Sequence, residues 1–240
     1  LVQGVARRRK QRSRLMARLQ RLPGAAFAAH SSMAVVAGVA QALSLAWPWN
    51  GAPQWWLQIV SLAVLAWLVR APTPWRRAVW LGWAFATAWL AATFWWLFIS
   101  MHTYGGLAAP LASAAVLGLA AFLGTYYAVA LGLFARLAPT HRALAAIVFA
   151  ALWLLAELAR GTLWTGFPWG AGGYAHVQGP LSALARTVGV YGVGFVAAVL
   201  AMLLAQARTR DLRSLRAWAL VAGGALVLVC AGLQRQCAIE

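Results

Sequence analysis

The sequence predicts an all-α fold: a polytopic membrane bundle of about seven transmembrane helices with its N-terminus in the cytoplasm. Three observations lead there. Of 240 residues, 63% are hydrophobic and 10% are charged, against roughly 45–50% and about 25% in soluble domains. Apolar stretches suited to a hydrocarbon core about 30 Å thick, which takes roughly 20 helical residues to cross, recur along the chain. The basic residues fall almost wholly on alternate connections between those stretches. Fifteen tryptophans and 22 glycines add the bias of membrane helices and their interfaces.

The candidate spans are residues 25–47, 55–69, 78–99, 107–135, 143–158, 188–205 and 217–232. The second, fifth and seventh are short. Between Arg77 and Arg136 lie 58 residues without a formal charge, which as one helix would run about 87 Å. That is too long for one crossing, so the turn Met101-His102-Thr103-Tyr104-Gly105-Gly106 divides it into two spans.

Charge then sets direction. The segment through Arg21 holds eight basic residues (Arg7, Arg8, Arg9, Lys10, Arg12, Arg14, Arg18 and Arg21). The connection after span two adds Arg70, Arg76 and Arg77, and that after span four adds Arg136 and Arg142. The connection after span six adds Arg208, Arg210, Arg213 and Arg216. Eight, three, two and four make 17 on one side, against Arg160, Arg186 and Arg235 on the other. The positive-inside rule puts the 17 in the cytoplasm. The reading is thus a basic cytoplasmic segment over 1–24, a seven-helix domain over 25–232 and a short outer tail over 233–240. The net charge of +17 anchors topology and does not point to nucleic acid, because its basic residues sit between apolar runs. Six spans after the first argue against a cleaved signal peptide, and the recorded start is Leu1 instead of methionine.

Most tryptophans flank the connections: Trp47, Trp49, Trp55 and Trp56 at the first outer loop, Trp75 and Trp80 at an inner one. These read as headgroup-level anchors. Trp95 and Trp96, beside the uncharged loop at His102, are set apart as candidate binding residues. Cys230 and Cys237 show no spacing for zinc or a disulfide framework. His30 and His141 sit at cytoplasmic helix ends.

One segment breaks the pattern. Fourteen uncharged residues separate Arg142 from Glu157, about 21 Å of helix, so Glu157 belongs in or near the membrane. There an ionisable side chain costs a few kcal/mol and usually faces a cavity or a partner. Arg160, three residues on, shares its helical face and is the expected partner; capping of the outer helix end is the plainer role. From 161 to 179 the chain is glycine-rich and contains Pro168, too broken for a helix. Such backbone is tolerated at membrane depth only when buried in protein or lining a cavity. Phe167, Trp169 and Tyr174 give it the surface of a loop that dips into the outer leaflet. His176 and His102 lack a serine, cysteine or carboxylate at useful spacing and read as loop histidines without a role.

The run from Glu157 to Trp169, with Gly173-Tyr174, Gly179-Pro180-Leu181 and Gly189-Val190-Tyr191-Gly192, resembles the membrane region of apolipoprotein N-acyltransferases. Phe94-Trp95-Trp96-Leu97-Phe98-Ile99-Ser100 followed by His102-Thr103-Tyr104-Gly105-Gly106 is a similar aromatic helix end and Gly-Gly loop, and Ala42-Leu43-Ser44-Leu45-Ala46-Trp47-Pro48 is a looser match. The resemblance covers about residues 33–205, and Thr165-Gly166-Phe167-Pro168-Trp169 is its most specific part.

The resemblance implies bacterial inner-membrane enzymes that move an acyl chain from phospholipid to the N-terminal cysteine of diacylated apolipoproteins. It also implies an eight-helix bundle with an inserted nitrilase-like domain that carries a Glu-Lys-Cys set. There the thiolate would take the acyl group, the carboxylate would act as base and the lysine would stabilise the oxyanion. The single lysine, Lys10, lies on the inner side, Cys237 has no base near it in sequence, and eight residues follow Gly232. The expectation is therefore a truncated, frameshifted or fragmentary chain, inactive alone, with no catalytic residue, metal or cofactor of its own. Trp95, Trp96, Glu157, Arg160, Phe167, Pro168, Trp169 and Tyr174 are the expected binding or gate residues. The competing reading is a small transporter or membrane scaffold. It lacks paired intramembrane carboxylates and repeated halves with matching broken helices.

Overall fold

The computed structural model describes residues 23–70 and 73–207. The N-terminal basic cluster, Arg208 to Arg216, the seventh span at 217–232, Cys230, Cys237, Arg235 and the tail at 233–240 lie outside the described residues. Those that are described form helices and no strand.

The main helices are α1 (Pro23–Leu45), α2 (Trp55–Val69), α3 (Trp75–Thr93), α4 (Trp95–Ile99), α5 (Ala109–Leu137), α6 (Arg142–Thr162) and α7 (Ala185–Gln206). Four of them are long and apolar enough to cross a membrane, or five if the bent pair α3–α4 counts as one span. At 15 residues α2 is shorter than a full span.

Two expectations change shape. The stretch 78–99 is not one straight helix: α3 and α4 meet at Phe94 with a bend of 52°. The Phe94 N–H closes α3 on Leu90, and its carbonyl opens α4 by accepting from Leu97 N. A π-helical turn, Ser100–Tyr104, follows. The fifth stretch, expected to stop at 158, runs to Thr162, because Glu157 and Arg160 find buried hydrogen bonds and need not end the helix. In α7, Gly189 has φ 65° and ψ −178°, a break that glycine permits without steric cost. At the start of α5, Pro110 supplies a fixed φ where no intrahelical donor is needed.

The helices pack as a ring in the order α1, α2, α7, α6, α5, α3 and back to α1. Its centre is aromatic. Trp89 and Trp153 stack with centroids 5.8 Å apart, Tyr127 lies 4.8 Å from Trp153, and Phe85, Phe149 and Phe134 extend the cluster. Close helix approach rests on glycine, as expected where dispersion rather than water drives packing. A Cβ on Gly38 would lie 2.2 Å from the Phe85 carbonyl oxygen. The Ser61 hydroxyl donates to the Ala37 carbonyl at 2.6 Å and ties α2 to α1.

One end of the ring is basic. Arg136 lies over Trp75 at 4.1 Å, Arg70 donates to the Ala205 carbonyl, and Gln206 donates to the Arg142 carbonyl. Arg77 meets His30. A cavity of about 270 Å³ between Arg70, Arg142, Thr140 and Gln206 opens at this end. The connection 46–54, the π turn and the broken segment 163–184 lie at the other.

Candidate functional site

The broken segment is built on α6. After Thr162 come a 3-10 turn at Leu163–Thr165, an extended stretch, a second turn at Gly172–His176 and a third at Ser182–Leu184. Trp164 (φ 55°), Thr165 (φ 77°) and Gly166 (φ 73°) are three consecutive residues in the left-handed region. Two of them carry a Cβ, and each such residue costs on the order of 1–3 kcal/mol. Something must hold them there.

Arg160 does so. Its side chain is fully buried. Nη1 donates to the Phe167 carbonyl at 2.6 Å and to the Trp169 carbonyl at 2.8 Å, while Nε donates to the Tyr127 hydroxyl at 3.0 Å. The Phe167 N–H returns a bond to the Arg160 carbonyl at 2.8 Å. Beneath the guanidinium lies Trp89, its ring centroid 5.8 Å from Cζ. The planar fork suits two carbonyls at once in a way a lysine ammonium would not.

Glu157, also fully buried, accepts from Gly172 N at 2.9 Å through Oε1. The two charges were expected to pair. The two attract each other through space, while their hydrogen bonds go elsewhere: Arg160 bonds Tyr127 and fixes residues 167–169, and Glu157 fixes the turn at 172. They act as two clamps on one strap.

The expected site residues divide accordingly. Glu157, Arg160, Phe167 and Trp169 come together, and Pro168 lies between the two clamped carbonyls. Phe167 packs edge-to-face on Phe94 at 4.8 Å and lies 5.2 Å from Trp169, so the strap rests on the α3–α4 break. Trp95 and Trp96 follow that break and are exposed. Tyr174 is exposed on the second turn and takes no part in the clamp. Trp164, the most exposed aromatic of the segment at 82%, is a surface residue that sequence reading passed over.

His176 departs from expectation. Expected to be a loop histidine without a role, it is buried and its Nε2 bonds Gln58 Oε1 at 3.1 Å. Burial pushes its pKa down to about 4. Gln41 and Gln58 are fully buried as well. Polar side chains inside apolar helices were the available signal for both. His102 binds the Leu107 carbonyl and shapes the π turn. No group of three metal-ligating side chains occurs among the described residues.

Residues 37–203, which contain every residue of this site, match the family model of the apolipoprotein N-acyltransferase N-terminal domain. The apolipoprotein N-acyltransferase of Verminephrobacter eiseniae is 65% identical over 211 residues, covering 86% of this chain and 39% of that protein. That of Ralstonia nicotianae is 51% identical over 171 residues, covering 70% and 33%. That of Pseudomonas putida is 41% identical over 174 residues, covering 72% and 34%. The chain thus spans between a third and two-fifths of the length of these curated relatives.

Proposed function

Because this chain belongs to the apolipoprotein N-acyltransferase family, we propose that it is the lipid-facing membrane part of an enzyme that transfers an acyl chain from phospholipid to the N-terminal cysteine of diacylated apolipoproteins. The observation that carries this reading is the double clamp. Arg160 and Glu157 fix a non-helical strap whose outer surface is Trp164, Trp169 and Tyr174. Flat aromatic rings held on a rigid strap offer acyl chains and headgroups a surface with little entropy left to lose.

In this reading the chain works in the bacterial inner membrane with several crossings. The described residues contain neither cysteine nor lysine, so the thioester and amide steps are not assigned to them. Their share is positioning: acyl donor and apolipoprotein both lie in the outer leaflet, and the strap and the break at Phe94 guide them laterally. Trp95, Trp96, Phe167, Pro168, Trp169 and Tyr174 are the proposed contact or gate residues, and Glu157 and Arg160 hold them.

The test uses a full-length protein carrying this domain, expressed where the resident N-acyltransferase is depleted. Replacing both Trp164 and Trp169 by alanine removes exposed surface while leaving the clamp intact. Mass spectrometry of lipoproteins should show triacylation slowed by roughly tenfold or more, equivalent to about 1.4 kcal/mol of lost positioning energy. Unchanged acylation at equal protein level would remove the strap from the reaction.

A further inference from the structure

Behind the strap, four buried polar side chains from four elements converge on the turn at Gly172. Gln41 comes from α1, Gln58 from α2, Glu157 from α6 and His176 from the second turn; all four are buried. A Cβ placed on Gly172 would lie 3.2 Å from Gln41 Nε2, 3.2 Å from Gln58 Nε2 and 3.5 Å from Glu157 Oε1. A Cβ on Gly194 would lie 3.2 Å from Glu157 Oε2 and 3.5 Å from Gly173 N. The glycines of the strap and of α7 thus let these polar atoms approach where a Cβ would crowd them.

The protein's own groups use only part of this hydrogen-bonding capacity. Both amide atoms of Gln41, Gln58 Nε2, Glu157 Oε2 and His176 Nδ1 have no protein partner. With the His176 Nε2–H donating to Gln58 Oε1, Nδ1 is left as an acceptor. The free set then mixes donors, the two amide NH₂ groups, with acceptors, the Gln41 carbonyl, the second carboxylate oxygen and the imidazole lone pair. A ligand for such a set must both donate and accept. A metal cation fits poorly: it would meet the NH₂ groups as like poles, and Arg160 already lies one helical turn from Glu157. An anion would meet the carboxylate.

We propose that this polar cluster is a binding site for internal water, one or two molecules that join α1, α2 and α6 to the inner face of the strap. Water makes about three hydrogen bonds when buried among polar groups, and one or two molecules match the free donors and acceptors here. The strap is then held directly by Arg160 at Phe167 and Trp169, by Glu157 at Gly172 and by Gln58 at His176, and the water joins the polar atoms that these bonds leave free.

X-ray radiolytic footprinting of the purified protein in nanodiscs tests this. Hydroxyl radicals form where water sits, so a buried side chain beside bound water is oxidised and one in a dry core is not. His176 should be oxidised several times faster than Phe85 and Phe149, which are equally buried in the aromatic centre and have no polar side-chain atom to hold water. In Gln41→Leu, His176 should fall to the rate of Phe149, while exposed Tyr174 keeps its rate. Oxidation of wild-type His176 no faster than Phe149 overturns the proposal. So does fast oxidation that persists in folded Gln41→Leu, because bulk solvent would then be the source. Where Gln41→Leu does not fold, the wild-type comparison decides alone.

Discussion

Glu157 and Arg160 show how a buried charge becomes tolerable. Each is tied to backbone groups that a broken segment leaves without helical partners, so two liabilities cancel. Glu157→Gln keeps an oxygen for Gly172 N but leaves the Arg160 guanidinium without a neutralising charge nearby. We expect it to lower stability by about 3–5 kcal/mol, the usual result of stranding one member of a buried pair. Exposed Arg186→Gln should stay within about 0.5 kcal/mol. Thermal unfolding in detergent, with acylation measured alongside, separates the two. His176 makes a second prediction, with a defined sign. Its ring is held near pKa 4 by burial, whereas an unfolded histidine titrates near 6.5. Between those values the unfolded chain binds the extra proton, so stability is complete above about pH 6.5 and is lost as pH falls toward 4. The melting temperature should therefore drop more between pH 7.5 and 4.5 in the wild type than in His176→Gln. Glu157, which belongs to the same polar cluster, is present in both proteins. The sequence made Glu157 and Arg160 visible because charge is rare in this chain. It hid Gln41, Gln58 and His176, because the contacts that give them a role come from residues up to 118 positions away.

At the scale of elements, helix existence was legible and helix shape was not. An apolar run of adequate length announces a span whether or not it is straight. The bend at Phe94 could not be read from Phe94-Trp95-Trp96-Leu97-Phe98, since aromatic residues serve equally on either side of it. The extension of α6 to Thr162 was hidden for a different reason: a charge normally ends a span, and here the strap satisfies it. Glycine content was visible, but which glycines matter follows only from the packing. Gly38 faces the Phe85 carbonyl at a distance no Cβ can accept, whereas Gly118 has nothing within 4 Å. Gly38→Ala should separate α1 from α3 and lower stability by roughly 2 kcal/mol or more, as overpacked cores do. Gly118→Ala, exposed on α5, should stabilise by up to about 1 kcal/mol through helix propensity. Melting temperatures of the two variants, compared with the parent, check both signs.

For the whole molecule, the ring gathers Arg70, Arg76, Arg77, Arg136 and Arg142 at one end and the strap at the other, in keeping with the alternation read from charge. Which end faces the cytoplasm is a prediction from the positive-inside rule. In a background with Cys230 and Cys237 replaced, single cysteines at 105 and 169 should react with an impermeant thiol reagent in intact spheroplasts, and one at 76 should not; labelling at 76 alone would invert the orientation. The length of α2 has a consequence for the lipid itself. Fifteen residues span about 22 Å, short of a hydrocarbon core near 30 Å. Trp56 and Trp67, both exposed, sit eleven residues apart, which places two headgroup-seeking rings only about 17 Å from each other along the axis. In the membrane-embedded reading proposed above, thinning is one way for a bilayer to match that flank. The strap lies beside this flank, with Gly179 packed on Trp55. With the strap facing outward, as proposed, outer-leaflet lipids there would sit lower, with shorter and less ordered tails around them, so that the mismatch itself would do part of the work of lifting one out.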